Sequence, residues 1–177
     1  LAYSTISQLS YIILGAALAT TFALKGASFH IITHAIGKIT LFFCAGAIYV
    51  TAHVKKISEL GGLGFKTPMI FFAYTLGALS IIGVPPFIGS WSKLFLVIGS
   101  LEADFLFVAI LLGISSLLNI YYLLQPVFIA FNRKNIKNIK ITNAPLTIWP
   151  PMITGVGCLF LFFFSNYFLN IINGVVA

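Results

Sequence analysis

Charge is what this sequence has least of. Of its 177 residues only 3 are acidic and 10 are lysine or arginine, so charged residues make up 7% of the chain. A soluble domain averages about a quarter. Such a chain cannot cover a water-facing surface, which excludes a soluble enzyme. No acid lies inside a long apolar run, because Glu59, Glu102 and Asp104 all fall in connecting segments. Cysteine is nearly absent too. Cys44 and Cys158 sit inside apolar runs, with neither metal-ligand spacing nor a disulfide pattern, and read as small packing residues. There is no cysteine-rich cluster motif, no phosphate-binding glycine loop and no nucleotide fingerprint, so no cofactor is expected in this chain. The chain starts at Leu1 rather than Met, with no charged segment before the apolar pattern and no cleavage site after it. That excludes a signal peptide and reads as a fragment beginning at the mouth of a membrane helix.

What is present is apolar. Hydrophobic residues make up 60% of the chain, 18 of them phenylalanine, and mean hydropathy is +1.08. The fold class that follows is an all-α polytopic membrane protein. The net charge of +7 is concentrated in two short connecting segments, HVKKISELGGLGFK (53–66) and NRKNIKNIK (132–140). This fits membrane topology better than nucleic-acid binding. The expected surroundings are the lipid bilayer and no nucleic acid.

Spans are expected at roughly residues 4–24, stopping at Lys25-Gly26, and at 28–52, 105–130 and within 149–169, with Pro150-Pro151 near the start of the last. The stretch 68–101 would be about 50 Å long as one helix, against a hydrocarbon core of about 30 Å. It is therefore expected to make two passes, divided at the helix break of Pro85, Pro86 and Gly89. The total is about six transmembrane helices, one pair interrupted at Pro85-Pro86. Six spans would place Lys25, Arg133, Lys134, Lys137 and Lys140 on one side. Lys55, Lys56 and Lys66 would lie on the other with all three acids. The positive-inside bias would make the first side cytoplasmic.

Ionisable groups inside spans are the informative residues, since a mid-membrane lysine costs about 3 kcal/mol on insertion scales. His30, His34 and Lys38 are spaced i, i+4, i+8, which aligns them on one face of a helix. Two imidazoles and an amine in a stripe are suited to passing protons, because histidine titrates near neutral pH. Other readings stay open here: an interfacial, solvated His30, or a His34 that hydrogen-bonds a neighbouring helix. No Cys, Asp or Glu shares the span to complete a metal site, and no metal is expected. Lys93 follows the Pro-Pro break, with Ser90 and Ser92 beside it and eight uncharged residues after it. A pair of short hydrophobic segments interrupted by Gly or Pro points to the ion site of a transporter. Ser115, Asn119 and Tyr122 share one face of the next span and either line a water path or bond neighbouring helices.

Three stretches now carry a family resemblance: LAYSTISQLSYI (1–12), FHIITHAIGKITLFFCAG (29–46) and GALSIIGVPPFIGSWSK (77–93). In this order they closely resemble the proton-translocating antiporter-like subunits of respiratory complex I. The same family includes the large subunits of multisubunit sodium/proton antiporters. GKITLFFCAGAIY (37–49) with SLLNIYY (116–122) is more similar to the D-subunit branch of those antiporters. The resemblance covers nearly the whole chain and is strongest over residues 1–99.

The resemblance implies an inverted-repeat antiporter-like fold in which each repeat holds a broken helix and half of a proton path. This chain would be its second half: residues 1–144 as the second five-helix repeat with its basic loop, and 145–177 as the final helix and tail. His30, His34 and Lys38 would fall on the central-axis helix. Lys93 would take the ionisable position of the second broken helix, where some members carry Glu. The family's glutamate and its partner lysine belong to the first repeat, which this chain lacks. The basic residue that usually precedes the LAYS motif is also missing.

The expected function is proton or sodium/proton translocation through a Lys93, Lys38, His34, His30 relay, without covalent catalysis. Partners would be other membrane subunits of a complex I-like or multisubunit antiporter assembly, in a bacterial inner membrane. An oxidoreductase label would belong to that complex and not to this polypeptide. The alternatives are a structural membrane subunit or a truncated remnant without transport of its own.

Overall fold

The structure, a computed structural model, describes residues 1–132, 142 and 144–176. Eight α-helices are assigned in the described residues: α1 (Ala2–Leu18), α2 (Thr21–Ala52), the single-turn α3 (Leu63–Lys66), α4 (Pro68–Ile82), α5 (Gly89–Glu102), α6 (Leu106–Ala130), α7 (Trp149–Phe163) and α8 (Ser165–Val176). Helices α2 and α6, and α7 with the turn before it, are long and apolar enough to cross a membrane on their own.

The first turn does not fall at Lys25-Gly26 as the composition suggested. Helix α1 stops at Leu18, and Ala19 adopts a left-handed conformation with φ 52°. Thr20 then caps α2, its hydroxyl accepting from the Ala23 amide at 3.2 Å. Lys25 and Gly26 are inside α2. Gly26 is there for close approach and not to end a helix: a Cβ on it would lie 2.7 Å from Leu96 N. Gly99 is pressed in the same way against the backbone of Ala23. In a bilayer, helices associate through such packing, because lipid tails are as apolar as leucine.

Helix α2 is the spine. Its contacts show that residues 68–102 make one traverse and not two. Cys44 donates to Ile70 O, Gly37 and Thr40 meet Ile81 and Gly77, and Gly26 meets Ser92 and Leu96. As α2 is read backwards from residue 44 to residue 23, its partners run forward from 70 to 99. Helices α4 and α5 are therefore one broken helix, laid antiparallel along the whole of α2. The break is where Pro85-Pro86 placed it, but it interrupts a single pass. Length misled the expectation, because α2 itself is 32 residues, about 48 Å, and unbroken. Helices α7 and α8 also follow α2 in one direction. Thr40 lies by Cys158 at 3.8 Å, and Phe29 shares a core with Ile172. The final helical segment thus runs beyond residue 169.

One traverse over 68–102 changes which charges share a side. Lys25, Glu102 and Asp104 lie toward the Thr20 end of α2; Lys55, Lys56, Glu59 and Lys66 follow its Ala52 end. Arg133, Lys134, Lys137 and Lys140 lie outside the described residues. The described residues around them are at the Ala52 end: Phe131 packs on Gly64, and the Thr142 amide donates to Thr51 O at 2.8 Å. The expected separation of Lys25 from Glu102 and Asp104 is thereby corrected.

Two outcomes check this architecture. Single cysteines at Lys56 and Glu102 should react with an impermeant maleimide from opposite faces of the membrane; labelling from the same face would restore two passes. Gly26→Val should lower stability in detergent by about 1–3 kcal/mol, the usual range for overpacking. Gly113→Ala, with nothing within 4 Å of its Cβ, should not.

Candidate functional site

Helix α2 carries a column of basic groups. His30 and His34 stack with ring centroids 6.3 Å apart and planes 17° off parallel. Lys38 continues the stripe one turn on. The separation from His30 to Lys38 is about 12 Å along the axis. His30 is 1% exposed and Lys38 5%. The two ends of the stripe are therefore inside the bundle, and His34 between them is half-buried. Lys38 Nζ donates to Ser4 Oγ at 2.6 Å and to Leu1 O at 3.4 Å, both on the opening turn of the chain. His30 Nδ1 hydrogen-bonds Ser92 Oγ at 2.8 Å.

The broken helix brings Lys93 to this column. Helix α4 ends at Gly83, whose φ of 84° is one that glycine tolerates without strain. Gly89 opens α5 so close to Ser80 O that a Cβ there would collide with it. The peptide between Pro85 and Pro86 is cis. The Lys93 stem lies on the break, its Cδ 3.2 Å from where a Cβ on Gly83 would sit. Opposite ends of two helix dipoles meet there, supplying backbone carbonyls and amides in place of a carboxylate.

Several polar atoms in this region are buried without a hydrogen-bond partner. They include His30 Nε2, His34 Nε2 and Lys93 Nζ. Buried polar atoms are almost always paired, so three orphans in one region point to a use other than packing. A chain of groups that can each hold or release a proton, in a low-dielectric surround, can pass protons along itself.

The other expected residues divide. Ser92 joins the column. Ser90 instead donates to Phe87 O at 2.7 Å within the break. Ser115, Asn119 and Tyr122 on α6 bond α1. The Tyr11 hydroxyl donates to Ser115 Oγ at 2.6 Å, Asn119 Nδ2 donates to the Tyr11 oxygen at 3.1 Å, and Gln8 Nε2 donates to the Tyr122 oxygen at 3.4 Å. Sequence reasoning missed Tyr11 and Gln8. Tyrosine in an apolar run gives no local sign of what it faces. Gln8, a polar residue in mid-span, did offer a signal.

The fold and site define a class: a polytopic membrane bundle in which a helix breaks beside a buried basic column. The chain belongs to the NADH:quinone oxidoreductase/Mrp antiporter transmembrane family, which matches residues 1–119. It is 44% identical over 123 residues to NADH-quinone oxidoreductase subunit N of Desulforudis audaxviator, covering 69% of this chain and 24% of that protein. It is 30% identical over 190 residues to the chloroplastic NAD(P)H-quinone oxidoreductase subunit 5 of Chara vulgaris, covering 95% of this chain and 28% of that protein. The chain thus spans about a quarter of the length of these curated relatives. Its fold is similar to a chain of the Mrp complex from Dietzia, with a TM-score of 0.85 at 22% identity, covering 96% of this chain and 40% of that one. A chain of respiratory complex I from Thermus thermophilus aligns with a TM-score of 0.58 at 19% identity, covering 90% of this chain and 42% of that one.

Ser92→Ala strips His30 Nδ1 of its partner. It should lower stability by about 1–3 kcal/mol, the cost of an orphaned buried polar group, read as an earlier thermal transition in detergent. Ser90→Ala should not, because its hydroxyl only returns to its own turn.

Proposed function

We propose that this chain forms part of a membrane subunit that translocates protons, or exchanges sodium for protons, and that the Lys38, His34, His30, Lys93 column is its relay. The observation that supports it is the set of orphaned ring and amine nitrogens beside the broken helix. Lys93, at the break, is the terminal carrier that hands the proton to one face. Lys38 receives it from the other side through the two imidazoles. No step makes or breaks a covalent bond other than to hydrogen.

The driving energy comes from other membrane subunits of a complex I-like or multisubunit antiporter assembly. Residues 1–144, with four traverses and not the expected five, act as part of the second repeat of that subunit and 145–177 as its final helix, as the order of the three sequence motifs suggests. The first repeat would supply the carboxylate and the partner lysine. With one traverse over 68–102, Lys55, Lys56 and Lys66 outnumber Lys25 among the described residues, so the Ala52 end of α2 is cytoplasmic. This reverses the orientation expected from six passes. Lys93, on α5 toward the Thr20 end, then faces the outer half of a bacterial inner membrane.

The test is proton uptake by membrane vesicles carrying the intact complex. Lys93→Met and Lys38→Met should each lower uptake by about 100-fold, the scale of a lost proton-transfer group, with the assembled complex at normal abundance. Ser90→Ala should transport normally. Uptake unchanged in both lysine variants would make the chain a structural subunit.

A further inference from the structure

Tyr11 is 4% exposed and lies in the LAYSTISQLSYI stretch, where the sequence assigned it no role of its own. Its ring lies against two members of the column at once. Lys93 Nζ is 5.5 Å from the ring centroid, and the His30 imidazole is 5.2 Å away, tilted by 59°. An ammonium within about 6 Å of an aromatic centroid is attracted to the ring's negative face. Lys93 Nζ has no hydrogen-bond partner, so this face is a specific electrostatic neighbour of the ammonium.

The ring is held from α6. Its hydroxyl donates to Ser115 Oγ at 2.6 Å and accepts from Asn119 Nδ2 at 3.1 Å. Asn119 is held in turn, because Tyr122 donates to its Oδ1 at 2.6 Å, and Gln8 donates to Tyr122 at 3.4 Å. Donation therefore runs one way, from Gln8 through Tyr122, Asn119 and Tyr11 to Ser115. An amide nitrogen has no basic lone pair, so this chain does not relay protons. It is a clamp on the phenol ring.

We propose that Tyr11 is a positioning residue whose ring face seats the Lys93 ammonium beside His30, and that α6 sets the seat through Asn119 and Ser115. The inference rests on the relay reading above. It adds a point at which movement of α6 against α1 would move the terminal carrier relative to the column, without either helix carrying a charge there.

The experiment measures proton uptake by vesicles carrying the intact complex, with assembly checked by the abundance of the complex. Position 11 is replaced by phenylalanine and by phenylalanines bearing one, two and three ring fluorines, which weaken the ring's attraction for a cation in steps at nearly constant shape. Tyr11→Leu removes the ring. Uptake should fall stepwise across the fluorine series toward the Tyr11→Leu level, about tenfold below the phenylalanine variant. Asn119→Ala should lower uptake when Tyr11 is present and add nothing to Tyr11→Leu. Uptake indifferent to fluorination while Lys93→Met is inactive would overturn the seat and leave the relay standing. A full Asn119→Ala effect in the Tyr11→Leu background would do the same, and would make Asn119 part of a path of its own. Normal uptake by Lys93→Met would overturn the relay and the seat with it.

Discussion

Glycines let α2 and the broken helix approach each other closely. Gly26 meets the backbone at Leu96, and Gly99 meets the backbone at Ala23. Gly15 brings α1 to the same place, since a Cβ there would lie 2.7 Å from both Ala23 O and Ala27 Cβ. Three helices are thereby drawn to van der Waals contact where lipid gives no hydrophobic drive. The level of His30 follows from that packing. With α5 pressed on the first half of α2, Ser92 reaches His30, and the break falls beside the histidine pair. With α1 pressed on α2, Ser4 reaches Lys38, and Tyr11 lies against Lys93 and His30. The geometry of the ionisable groups is thus a product of small residues that carry no chemistry themselves.

The second constraint is solvation of buried positive charge. The only acid in a described helical span is Glu102, at the last residue of α5, and a cation in hydrocarbon is costly. The structure meets this with dipoles: hydroxyls of Ser4 and Ser92, the ring face of Tyr11, and the meeting ends of α4 and α5. None of these neutralises a charge outright. The chain spans about a quarter of its curated relatives.

Much of this was legible in the residues. The i, i+4, i+8 stripe marks a face of α2 on which His30 and Lys38 are buried, and the Pro-Pro pair located the break. Two readings failed for identifiable reasons. Gly26 after Lys25 resembles a helix end, because glycine and a charge usually mark one, yet its hydrogen atom is needed for packing. The stretch 68–101 exceeds a bilayer's thickness, and length alone suggested two passes. Length is a weak guide when a neighbouring helix of 32 residues does the same without a break, as tilted membrane helices can. The role of Tyr11 depends on three helices meeting, and no local pattern encodes that.

On this reading the column beside the break is a hydrated proton path and not a set of stranded polar groups. A structure of the intact complex at a resolution that shows ordered water tests it most directly. Water is expected within hydrogen-bonding distance of His30 Nε2, His34 Nε2 and Lys93 Nζ, continuous from Lys38 to the break. Apolar side chains from the rest of the subunit packed dry against those three atoms would contradict it.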